Sequence, residues 1–159
     1  YCMEQATDRC KMYCGEKNQM YSALSEELAR MYNAAGRREE SLACHLAVRN
    51  QLLKNGYREG SLLLMVDNNM SVVYLDLGKP EEAIPYLTEA LELAKENGLV
   101  GPAVAEPTWN LARVYRALGD EEKEDIYLKA AVEGFRECYP PEHPKRIAAE
   151  QRLKERQGE

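Results

Sequence analysis

The chain has 159 residues, 45% of them hydrophobic and 30% charged, with a formal charge of -6. That length allows one cooperative unit with a buried core but not two ordinary domains, and no apolar run reaches the roughly twenty residues that a membrane span requires. A net acidic chain offers no footprint for a phosphate backbone, so neither nucleic acid nor a membrane is an expected partner.

Abundant Ala, Leu, Glu, Lys and Arg beside few Val, Ile and Thr favour helix throughout. From the amino end, residues 2–14 fit the second helix of a helix pair, with Gly15 as its stop. The chain begins at Tyr1 with neither an initiator Met nor a signal-peptide pattern, which reads as a piece of something longer. Five cysteines, Cys2, Cys10, Cys14, Cys44 and Cys138, are an odd number without a compact framework. They point to reduced thiols and a cytoplasmic setting.

Beyond Gly15 the sequence repeats. LARMYNAAGRREES from Leu28, MSVVYLDLGKPEEA from Met70 and LARVYRALGDEEKE from Leu111 align, with Gly36, Gly78 and Gly119 spaced 42 and 41 residues apart. A second series, Gly15, Gly56 and Gly98, is spaced 41 and 42. Two interleaved marks of this kind define a helix-turn-helix unit. Apolar residues recur at helical spacing in each first helix, and the glycine that follows permits the positive backbone angle that ends it. Asp120 is a suitable cap and Pro80 a suitable first-turn residue for the second helices. Pro85 and Pro107 are expected to disturb the helices that contain them. After Tyr139-Pro140-Pro141, a polar helix suits a cap over the end of the stack.

The reading is an all-α, right-handed α-α superhelix of about eight helices in one domain. Residues 1–15 form a half repeat, residues 16–56, 57–98 and 99–139 form three units, and residues 144–157 form the cap. Such a pair cannot hide its apolar face alone, so neighbours must stack.

NNMSVVYLDLGKPEEAIPYLTEALELAKENG and WNLARVYRALGDEEKEDIYLKAAVEGF resemble tetratricopeptide repeats. The long period, the paired Asn68 and Asn69, and the Pro- and His-containing ECYPPEHPKRIA segment are similar to the subclass found in kinesin light chain and its bacterial relatives. One departure stands out. The small residue where paired helices approach is Ser41 and then Ala83, but Glu124 in the third unit. A Glu there is expected to snorkel or to widen the pair.

The resemblance implies a non-enzymatic scaffold that binds a protein or peptide ligand along a concave face lined by the first helices. Counting thirteen, ten, six and three residues back from each turn glycine gives the implied stripe. It runs through Ala23, Glu26, Arg30 and Asn33, then Met65, Asn68, Val72 and Leu75, then Glu106, Trp109, Arg113 and Arg116. Asn68 matches the asparagine that holds a peptide backbone through its amide. Asn69 and Asn110 either share that role or pack between helices. Trp109 either anchors a ligand or packs between helices. Arg30, Arg113 and Arg116 suit the carboxylates of an acidic ligand. The lysines of the family members that grip a chaperone's acidic tail are missing, so that ligand is not expected.

Two histidines, His45 and His143, neighbour no evident nucleophile, and neither an enzyme nor a cofactor is expected. Cys10 and Cys14 supply only one short-spaced pair, too few ligands for structural zinc. Two other readings remain: self-assembly, as a homodimer through the helix at residues 2–14, and service as the sensory part of a larger bacterial regulator.

Overall fold

A computed structural model describes residues 2–14, 19–57 and 61–158; Gly15, the expected stop of the first helix, lies outside the described residues. Eight helices are found among them: α1 (Cys2–Cys14), α2 (Gln19–Ala34), α3 (Arg38–Lys54), α4 (Ser61–Asp76), α5 (Pro80–Glu96), α6 (Pro102–Leu118), α7 (Glu121–Cys138) and α8 (Pro144–Gln157). Each packs on its successor, and α4 also meets α2 and α6. The result is a right-handed superhelix with α2, α4 and α6 side by side on its inner layer.

The turns explain the repeat. Gly119 has φ of +73° and closes α6 by donating its N–H to Arg116 O, while the N–H of Asp120 reaches Tyr115 O. This is the paired bond of a Schellman turn, which needs a residue in the left-handed region. The same two bonds recur at Gly36 and Gly78, ending on Tyr32 and Tyr74. Tyr74 stacks on Tyr86 with centroids 5.7 Å apart, and Tyr115 on Tyr127 at 5.4 Å. Each stack joins the last turn of a first helix to its partner. Asp120 caps α7 by accepting the Lys123 N–H, and Pro80 opens α5. Pro85 and Pro107 both fall in the second turn of a helix that runs on through them.

Apolar burial joins the units. Val48 and Leu52 of α3, Leu63, Val66 and Met70 of α4, Leu87 of α5, and Leu111 and Val114 of α6 form the largest cluster. A second gathers Ala105, Leu128, Val132, Phe135 and Ala149. Here α6 and α7 come so close that a Cβ on Gly134 would lie 2.9 Å from that of Ala105.

Glu124 corrects the expectation of a snorkelling side chain or a widened pair. It is 2% exposed and accepts two hydrogen bonds from Arg152 of α8, at 2.7 and 3.1 Å. The charge is met by a cation from the next helix, as a buried carboxylate requires.

Candidate binding face

The inner faces of α2, α4 and α6 are stitched together by side-chain amides in a repeating register. Asn69 Nδ2 donates to Glu26 Oε1 at 2.7 Å, and Asn110 Nδ2 donates to Asn68 Oδ1 at 2.8 Å. In both cases the residue nine before a turn glycine donates to the residue ten before the preceding one. Of the two roles left open for Asn69 and Asn110, both side chains are placed between helices.

This stitching corrects the place of Glu26. It is 1% exposed, held by Asn69 on one oxygen and by His45 Nδ1 at 2.7 Å on the other, so it belongs to the core and not to an open face. His45 is buried in the same contact, the packed position its place in the repeat implies. Of the two roles left open for Trp109, the contacts show packing. It is half-buried, with its ring edge-on to Phe135 at 6.4 Å, and contributes to the second core cluster.

The other stripe residues remain at least partly open. Asn68 is half-buried, and with its oxygen taken by Asn110 its amide nitrogen has, among the described residues, only Glu106 Oε2, at 3.5 Å. That distance is at the limit of a hydrogen bond, so the N–H pair retains donor capacity. Arg113 is also half-buried and donates to Asn110 Oδ1 at 3.0 Å. Burial lowers its pKa, and Asp76 opposes this only through space. Among the described residues no carboxylate pairs with it. Arg116 is exposed. Arg30 is exposed too, but its charge is shared with Glu27 at 2.9 Å.

Two hollows lie along this face. One of about 360 Å³ between α4 and α6 is walled by Leu64, Met65, Pro102 and Ala103, with Asn68 and Glu106 at its rim. The other, of about 230 Å³ between α2 and α4, includes Arg30, Asn33, Val72 and Asn69. Asn33 donates to Asp76 at 3.4 Å, while its own oxygen is buried with no partner. The face therefore presents donors at Asn68, Arg113 and Arg116.

Several contacts have no signature in the sequence because their partners lie far apart along the chain. Lys145 Nζ reaches Glu106 Oε1 at 2.6 Å, and Tyr139 donates its hydroxyl to the same oxygen. Burial and that bond push the Tyr139 phenol well above its ordinary range. On the other side of α4, Arg49 Nε binds the buried Asp67 at 2.7 Å, also pairs with Glu89, and lies over the Tyr86 ring. Asp67 Oδ2 is left without a partner, and burial lifts its pKa to about 6 against the pull of Arg49. Among the described residues no three His, Cys, Asp or Glu gather as a metal ion would need, and no helix is long and apolar enough to cross a membrane.

Comparison with known proteins agrees with this architecture. The family model of the tetratricopeptide repeat matches residues 62–137. No curated protein matches the sequence. Among solved structures, the nearly identical TPR-like repeats assigned to a kinesin light chain of Podosopora anserina superpose with a TM-score of 0.79 at 23% identity, over 98% of this chain and 76% of that one. A second crystal structure of those repeats gives 0.77, at the same identity and coverage. BtubC (BKLC) from P. vanneervenii gives 0.72 at 19% identity, over 88% of this chain and 64% of that one. At such identities the likeness is one of fold. Residues 62–137 thus match the tetratricopeptide repeat, and the chain as a whole has the solenoid fold of kinesin light chain-like repeats.

Proposed function

We propose that this chain is a non-enzymatic docking scaffold whose inner face takes an extended protein segment bearing an acidic side chain. Tetratricopeptide repeats generally mediate contacts between proteins. The observation that carries the finer reading is Arg113, a half-buried guanidinium with no carboxylate partner among the described residues, joined to the Asn68 amide by two hydrogen bonds through Asn110. A carboxylate set against Arg113, with Arg116 one turn further on, would satisfy that cation. The Asn68 N–H pair would take a backbone carbonyl of the same segment. The helix pairs act as three units of one domain, residues 16–56, 57–98 and 99–139, with residues 1–15 as a half repeat. Free thiols at Cys44 and Cys138 suit a reducing, cytoplasmic setting.

The test is capture of partners by the wild-type chain and by Arg113→Ala and Asn68→Ala, read by mass spectrometry. A partner should bind the wild type and be lost or weakened at least about tenfold by either change, the scale of a charge-assisted hydrogen bond. Partners retained equally by both variants would overturn the assignment of this face.

A second reading has its own support. Met12 of α1 is 69% exposed and Met20 of α2 is 62% exposed. Large apolar side chains at one end of a stack favour self-association through the amino-terminal helices. Sedimentation separates the two readings, since a chain that remains monomeric at high concentration removes the second.

A further inference from the structure

α8 is fastened to the solenoid by charge. Only Ala149 is fully buried on it, with Leu153 half-buried beside the Phe135 cluster. Against that small apolar strip stand several ion pairs. Arg152 forks onto Glu124, Arg156 Nε reaches Asp125 at 2.8 Å and its Nη1 reaches Glu121 at 3.3 Å, and Arg136 of α7 binds Glu150 at 2.8 Å. Arg152 and Arg156 lie one turn apart on α8, and Glu121 and Asp125 lie one turn apart on α7, so two rows of opposite sign face each other. Glu124 lies in register with Ser41 and Ala83, both fully buried small residues. A carboxylate at such a position is stable only with a cation delivered from another helix.

We infer that α8 is a displaceable cap, and that the α7 face beneath it is a docking surface for a helix presenting two arginines one turn apart beside an alanine and leucine strip. Most of the attachments are partly exposed pairs, which mobile ions screen. The covered apolar strip is too narrow to hold α8 once they weaken. Its departure bares Leu128 and Phe135, further along α7 from the carboxylates of Glu121, Glu124 and Asp125. It also withdraws Lys145 from Glu106, and so changes the inner face at the rim of the larger hollow.

Hydrogen exchange on the intact chain tests the first half. In molar sodium chloride the amides of residues 144–157 should lose at least about tenfold in protection, as several screened pairs imply, while those of α4 to α7 keep theirs. The variant Arg152→Ala/Arg156→Ala should show the same pattern at low salt. For the second half, a labelled synthetic peptide of residues 144–157 should bind that variant at low salt and fail to bind once Glu124→Gln is added. The wild type, with its own cap seated, should bind it at least about tenfold more weakly. Protection of α8 that matches α7 at both salt levels, or a peptide that does not bind the loosened variant, would overturn the inference.

Discussion

Asn110 of α6 donates its side-chain amide to Asn68 of α4 across 2.8 Å, 42 residues away in the chain. The bond links two first helices and simultaneously fixes the amide whose N–H pair lies 3.5 Å from Glu106. Removing it leaves the half-buried Asn68 oxygen without its donor and also takes the only hydrogen-bond acceptor of Arg113 among the described residues. Asn110→Ala should therefore cost about 1 to 3 kcal/mol, read from urea unfolding. An unchanged midpoint would mean that the stitch is incidental.

Asp67 gives a pH signature of one sign. Its folded pKa, about 6, is above the value of 3.8 for a free side chain, so its burial favours the neutral form. The contribution it makes to stability is fully present below about pH 4 and is lost as pH rises through 6. The gap of about two units corresponds to roughly 3 kcal/mol. The variant Asp67→Asn should gain on the wild type over that interval, and thermal unfolding at a series of pH values would show it. Parallel curves would contradict the displaced titration.

The cap carries the opposite sign. A hydrogen bond from Arg156 holds the Asp125 carboxyl below its ordinary value, and Arg136 does the same for Glu150. Their contribution is present above the free carboxylate value and disappears as pH falls through the lowered one. Exchange of the α8 amides should accelerate in acid before that of α5 or α6. Simultaneous loss of protection in all three would argue against a separable cap.

Gly134 reports on the closest approach of two helices. A methyl group added there meets the Ala105 Cβ at 2.9 Å, well inside van der Waals contact. Gly134→Ala should destabilise by about 1 to 3 kcal/mol through overpacking, despite its better helix propensity. Gly134→Ala/Ala105→Gly should recover part of the loss. A stabilised single variant would show that the helices separate freely.

Periodic features were legible from the sequence because they repeat. The turn glycines, Asp120 as a cap and Pro80 as a first-turn residue each act on their own segment, and three aligned copies reinforce one another. The inner stripe was legible as a set of positions but not as a set of exposures. Glu26 and Asn68 occupy the same register, yet Glu26 is buried by His45 and Asn69, and nothing local distinguishes them. Trp109 is drawn inward by Phe135, which lies on the partner helix. Glu124 looked like a flaw because Arg152 lies 28 residues away. Pairings of that kind depend on which surfaces the fold brings together, and no spacing rule encodes them.

The pattern of helix contacts bears on how the molecule comes into being. Each helix meets its immediate successor, and the farthest recurrent partner is two helices along. Closing so short a loop costs little entropy, so assembly has no need to wait for a distant strand or terminus. A chain leaving the ribosome can add one rod at a time to a surface already in place, and each addition is checked against the last before the next appears.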